Sequence, residues 1–309
     1  MKTITVVSSC YNEEENLEEL VARVFAVAAK FPQYAWEYIL LDNCSTDGSR
    51  DVLRRMAAAD RRIKLIFNAR NFGHIRSPYY GMLQARGDAM IYLASDLQDP
   101  PELIAEFVPR WEEGFKVVGA IKNESEESPL FFLLRQAYYA VISRLSDVDL
   151  LKNFTGFGLY DQVVLEHLRA MDDPYPYHRG MIAELGFPVA RVNFTQPRRR
   201  RGLTKNNLYT LYDLAMLGFT GYTKVPLRLA TMFGFCTAVL SFGVGLVYLT
   251  FKLLYWQSFT IGLAPLVVGF FFLGSVQLIF IGVVGEYVGA IHTKVTKRPL
   301  VVERERINF

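Results

Sequence analysis

Residues 93–102, "LASDLQDPPE", place two carboxylates and an amide within four residues: Asp96, Gln98 and Asp99. An apolar lead-in precedes them and a double proline follows. Oxygen ligands so clustered suit a hard divalent cation such as Mg²⁺ or Mn²⁺. A paired-aspartate metal motif would have a carboxylate at position 94, where this chain carries Ala94. Mg²⁺ commonly takes only one or two protein carboxylates, with waters and substrate phosphates completing its shell. Asp96 and Gln98 therefore remain an adequate ligand pair. A second set of charges, "RRRRGLTK", gathers Arg198, Arg199, Arg200, Arg201 and Lys205. Such a strip suits phosphate groups or an anionic membrane surface.

These residues need a scaffold. "TITVVSS", "WEYILLDN", "IKLIFN", "AMIYLAS" and "FKVVGAI" read as strands, with helical patterns between them. Ser45 or Thr46 is expected near the start of the second helix, and Pro100 and Pro101 open the fourth. Alternation of this kind predicts parallel βαβ units, which bind ligands beyond the carboxyl ends of their strands. That puts Tyr11, Glu13, Asp42, Asp96, Gln98 and Lys122 on one rim. A dinucleotide-binding fold is excluded, because "SSCYNEEEN" after the first strand has no glycine. Residues 123–129, "NESEESP", read as a loop, and 130–146 as an apolar helix.

The chain has 309 residues, 51% of them hydrophobic, and a net charge of +3. Its mean hydropathy is +0.15. The apolar excess sits near the end. No charged residue occurs from Leu229 to Phe251, nor between Lys252 and Glu286. Two membrane-spanning helices are expected, at about 229–250 and 263–284. Lys224 and Arg228 precede them, Lys294, Lys297 and Arg298 follow, and the connection holds only Lys252. Both chain ends are thus expected in the cytoplasm. Cys10, Cys44 and Cys236 show no zinc or disulfide spacing. Two spans are too few for an obvious transport path or a polymer-conducting pore. The expected organisation is 1–200 catalytic, 201–228 interfacial helices, 229–291 the hairpin and 292–309 a cytoplasmic tail.

"SCYNEEENL", "LLDNCSTDGS", "NFGHIRSPYYGMLQARGD", "ASDLQDPPELI" and "HRGMIAELGFPV" occur in order, followed by "GEYVGAIHTKVTKRPLVVE". With these the chain resembles the family 2 glycosyltransferases that use polyprenyl phosphate acceptors, which include bactoprenol glucosyltransferases and dolichol-phosphate mannose synthases. The resemblance implies an α/β, A-type glycosyltransferase domain, Rossmann-like with a mostly parallel sheet, plus a C-terminal two-helix transmembrane hairpin. It implies inverting transfer of one hexose from a nucleotide-sugar donor to undecaprenyl or dolichyl phosphate, at the cytoplasmic face of the inner membrane. UDP-glucose is the first expected donor, then GDP-mannose, then an amino sugar. No nucleic-acid partner is implied. A homo-oligomer is, and "FGVGLVYL" and "GVVGEYVG" could serve its helix packing.

Carried over position by position, Tyr11 and Glu13 match the nucleobase and ribose end, and Asp42 the acid beside it. Ser95 stands in the donor site. Asp96 and Gln98 match metal and diphosphate ligands, Lys122 a cation near the diphosphate, and Arg199 and Lys205 cations closing over the phosphates. The departures are Ser9 for a proline, Asn43 and Ala94 for aspartates, and Gly158 for an arginine. They keep open a rival reading, a non-catalytic nucleotide-binding scaffold with a decayed site.

Overall fold

A computed structural model describes residues 1–124, 151–197, 208–255 and 263–309. The acidic loop from 125 on, the apolar helix expected at 130–146, and Arg198 to Lys205 lie outside the described residues.

The first half alternates as expected: β1 (Thr3–Cys10), α1 (Glu14–Ala28), β2 (Ala35–Asp42), α2 (Ser49–Ala59), β3 (Ile63–Asn68), α3 (Gly73–Gln84), β4 (Ala89–Tyr92), a 3₁₀ turn at Pro101–Leu103, α4 (Ile104–Glu112) and β5 (Val117–Glu124). The second half adds β6 (Phe154–Asp161), α5 (Gln162–Met171), α6 (His178–Leu185), β7 (Val189–Thr195), α7 (Leu208–Tyr222), α8 (Val225–Leu254), α9 (Leu263–Val295) and β8 (Glu303–Ile307). The eight strands among the described residues form one sheet, in the order β7-β5-β6-β4-β1-β2-β3-β8. β4-β1-β2-β3 are parallel neighbours, as are β5 and β7. β6 runs antiparallel between β4 and β5, and β8 antiparallel to β3.

The centre of the sheet is covered on both faces, which is why β1 to β5 read as apolar runs. Successive side chains alternate between faces. Val6 and Leu40 pack with Leu17, Leu20, Leu53 and Phe107 on one side. Val7 and Leu41 pack with Tyr79, Met82, Val164 and Leu165 on the other. The two cores fix the strand ends that carry the polar rim.

Three features differ from the sequence reading. α2 starts at Ser49 with Gly48 as its N-cap and no side-chain cap. Ser45 and Thr46 instead bind Asn12, whose N–H donates to Ser45 Oγ at 2.9 Å and whose Oδ1 accepts from Thr46 N at 2.8 Å. The first β–α loop is thereby stitched to the second. The segment read as a tail supplies edge strand β8, held by paired Arg54–Glu305 hydrogen bonds of 2.8 and 2.5 Å. The two apolar helices extend beyond the uncharged runs, α8 to 30 residues and α9 to 33. Each contains a stretch long and apolar enough to cross a membrane, with none of its most hydrophobic window buried against the protein. Their exposed Phe242, Leu249, Phe270 and Ile281 fit contact with lipid.

Candidate active site

The parallel strands deliver the expected residues to one rim. Tyr11 and Glu13 follow β1, Asp42 ends β2, Ser95, Asp96 and Gln98 follow β4, and Lys122 lies near the end of β5. β5 is antiparallel to β6, which is antiparallel to β4, so Lys122 reaches the same edge.

The turn after β4 is the centre of the site. Leu97 adopts a left-handed backbone, φ 61°. This folds Asp96 over its own loop, where Oδ1 accepts the Gln98 N–H at 3.1 Å. Gln98 Nε2 donates to Pro197 O at 3.4 Å, which orients the amide and leaves its carbonyl oxygen for another partner. Ser95 is buried, its hydroxyl donating to Ser9 O at 3.0 Å across to β1. Asp99 is the residue the sequence reading left unassigned. Its Oδ2 accepts the Ala94 N–H at 2.9 Å. Burial pushes the Asp99 carboxyl up to about 7; the Ala94 N–H lowers it, nearby Asp96 raises it, and Arg179 and Lys122 lower it. Arg179 and Lys122 thus both act electrostatically on Asp99. Arg179 belongs to the "HRGM" motif, but only the fold shows its proximity to this loop.

The residues that the resemblance assigns to the nucleotide end are built into the scaffold. Asp42 is fully buried, accepts the Ser45 N–H at 3.1 and 3.2 Å, and pairs with Arg50 Nε at 2.9 Å. Glu13 accepts from Asn16 Nδ2 at 2.6 Å, while its N–H donates to Ser49 Oγ at 3.0 Å. Tyr11 is half-buried beside them.

The departures acquire local reasons. Asn43 donates through Nδ2 to Asn71 Oδ1 at 2.9 Å and Gly73 O at 3.2 Å, and accepts from Asn68 Nδ2 and Phe72 N. An aspartate cannot make the first two bonds. Gly158 faces Gly119 across β5–β6, and any Cβ there would strike the Val118 carbonyl oxygen. Both residues thus have local packing or hydrogen-bonding partners. Ser9 lies 3.0 Å from Ser77, hydroxyl to hydroxyl.

No group of three or more His, Cys, Asp or Glu capable of holding a metal occurs among the described residues. One carboxylate from Asp96 plus the free amide oxygen of Gln98 still suits an Mg²⁺-type ion that keeps waters and binds substrate phosphates.

A mixed sheet with its polar rim at the carboxyl ends of β1, β2 and β4, covered by helices on both faces, is the A-type glycosyltransferase fold. A family model described as "Glycosyl transferase family 2" matches residues 5–171, and the chain belongs to that family. It is 32% identical over 303 residues to the uncharacterized glycosyltransferase YkcC of Bacillus subtilis, covering 96% of this chain and 92% of that one. It is 29% identical over 297 residues to the SfII prophage-derived bactoprenol glucosyl transferase of Shigella flexneri, covering 96% of each. Among solved structures it is similar to glucosyl-3-phosphoglycerate synthase from Mycobacterium tuberculosis in complex with Mn²⁺, UDP and phosphoglyceric acid. There the identity is 18%, the TM-score 0.47, and the coverage 71% of this chain and 76% of that one.

Proposed function

We propose that the protein transfers a single hexose, with inversion, from a nucleotide-diphosphate sugar to polyprenyl phosphate at the cytoplasmic face of a membrane. The observation that carries this reading is the shared extent of the bactoprenol glucosyl transferase relative. It spans 96% of both chains, rim and apolar helices together. UDP-glucose is the first donor to test.

The chemistry fits the site. A phosphate monoester has its second pKa near 6, so its oxygen is already an anionic nucleophile and needs no general base. The obstacle is charge: two unit charges about 4 Å apart repel by roughly 4 kcal/mol at an effective dielectric near 20. Lys122 and Arg179 offset that repulsion beside the Asp96–Asp99 turn, and Arg199 and Lys205 are proposed to close over the phosphates. Asp96 and Gln98 would hold a divalent cation, Mg²⁺ or Mn²⁺, which when bound supplies charge stabilisation to the departing nucleotide. Tyr11, Glu13, Asp42 and Ser95 are proposed to line the nucleoside end.

The hairpin brings the catalyst to its acceptor. β8 pairs with β3 after the second apolar helix, so both ends of the hairpin return to the catalytic domain. That supports two spans with both termini on one side. Lys224, Arg228, Lys294, Lys297 and Arg298 support the cytoplasmic side.

The test is release of UDP or GDP from a panel of nucleotide sugars by full-length protein in mild detergent, with undecaprenyl phosphate and Mg²⁺ or Mn²⁺. Lipid-dependent release from one donor, reduced roughly 100-fold or more in Asp96→Ala, is the expected result. Nucleotide binding with no release from any donor would favour the scaffold reading, for which Ala94 is the remaining argument.

A further inference from the structure

A second cationic site lies away from the transfer centre. Arg70, Arg76 and Arg298 line one surface pocket of about 410 Å³, with Phe72, Pro299 and Val302 among its apolar walls. None of the three arginines has a carboxylate partner within salt-bridge distance among the described residues. Arg70 stacks 4.0 Å from the Phe72 ring centre and donates to Asn71 O at 3.0 Å. Arg76 lies 5.4 Å from the Tyr175 ring centre, and its buried Nε has no hydrogen-bond partner. Converging guanidinium groups repel one another, and a buried N–H donor without an acceptor is unfavourable. A bound anion removes both penalties, and arginine's planar fork matches phosphate oxygens.

The pocket's position narrows the ligand. α9 ends at Val295, and the left-handed Lys297, φ 41°, turns the chain so that Arg298 follows directly. The Ala69 N–H then donates to Val302 O at 2.9 Å, fastening this exit segment to the end of β3. The pocket therefore opens where the second apolar helix leaves its membrane-crossing stretch. Ala69 and Val302 of the pocket lie at the β3–β8 edge of the sheet, whereas the Asp96 turn follows β4, three strands along.

We propose that Arg70, Arg76 and Arg298 form a phosphate-binding site at the membrane boundary. It takes either the headgroup of an anionic phospholipid or free phosphate. The site rests on the two-span membrane reading and is independent of the transferase assignment.

The test uses full-length protein in neutral detergent, titrated separately with phosphatidylglycerol, phosphatidylcholine and inorganic phosphate. Bound ligand is counted by native mass spectrometry. One phosphatidylglycerol is expected to bind in preference to phosphatidylcholine, and Arg76→Gln/Arg298→Gln is expected to weaken it roughly 30-fold. Arg298→Glu, an exposed change that leaves the core untouched, should weaken it at least about tenfold, whereas Lys252→Gln should not. Inorganic phosphate binding with the same variant dependence, and displacing the lipid, would identify free phosphate as the ligand. Unchanged affinity for both ligands in both arginine variants would overturn the site. Nucleotide release measured on the same preparations keeps the readings separate, since its absence in the wild type would sink the transferase assignment and leave the lipid counts standing.

Discussion

Gly158→Ala is a single-methyl test of whether packing explains the glycine at this position. The added Cβ would fall short of ordinary contact with the Val118 carbonyl oxygen by roughly 1 Å, and would sit 3.3 Å from Gly119 Cα. Neither neighbour is a flexible side-chain end; both are backbone of β5. The strand must therefore move, and overpacking of this kind costs about 1–3 kcal/mol. Stiffening the unfolded chain returns only about 0.4–1 kcal/mol. The net loss of about 0.5–2.5 kcal/mol should lower the melting midpoint of full-length protein by about 1–10 °C. β5 carries Lys122 and β6 borders β4, so the same shift separates Lys122 from the Asp96 turn. A displacement near 1 Å can cost about 100-fold in rate, which a nucleotide-release assay would register in kcat/KM. A variant that melts within about 1 °C of wild type and keeps its activity would refute the packing argument and return Gly158 to the list of decayed positions.

Asn43→Asp should lose about 1–3 kcal/mol, because the Gly73 and Asn71 oxygens would then face a carboxylate; chemical denaturation of the variant measures this. Asp161 accepts from Trp111 Nε1, Lys116 Nζ and Val163 N. Burial raises its carboxyl, but these donors outweigh burial and hold it below the usual range. Its stabilisation is thus present above the unfolded value near 3.8 and lost as pH falls through the lowered folded value. Melting curves of wild type and Asp161→Asn should converge on acidification through that window. Burial, reinforced by Arg179, lowers the His178 imidazole to about 3. The unfolded chain takes up that proton first, so stability should fall as pH drops from about 6.5 towards 3, and His178→Gln should flatten the decline. Truncation after Val302 removes β8 and bares the β3 edge; light scattering should show concentration-dependent association.

The first five strands were legible because burial on both faces leaves a sustained apolar signature, as in "IKLIFN". β6 was not read as a strand, since Gly156 and Gly158 interrupt "FTGFGLYD" with residues chosen for close backbone approach. β8, "ERERI", is an edge strand whose charges pair with Arg54 and one another, so its composition resembles a solvated tail. Ser45 and Thr46 carried a helix-start signal, but their oxygens and N–H groups serve Asn12 in a neighbouring loop. That Asp96 and Gln98 share one turn was readable from their adjacency. Asp99 and Arg179 were not readable, because their relevance depends on burial and on an electrostatic coupling between a turn and a helix start 80 residues apart in sequence.

The return of the chain to the sheet has a mechanical consequence. A globular head joined to a membrane stalk at one point can swivel and tilt about that joint. Here the stalk begins after α7 and finishes in β8, so the head is fastened at both ends of the hairpin. The Lys294–Asp173 ion pair of 3.1 Å and the Tyr287 hydroxyl bond to Thr223 O of 2.8 Å add further fastenings. Two fastenings leave a body one axis of rotation where a single joint leaves three. The polar rim at the strand ends therefore keeps a set bearing relative to the two apolar helices.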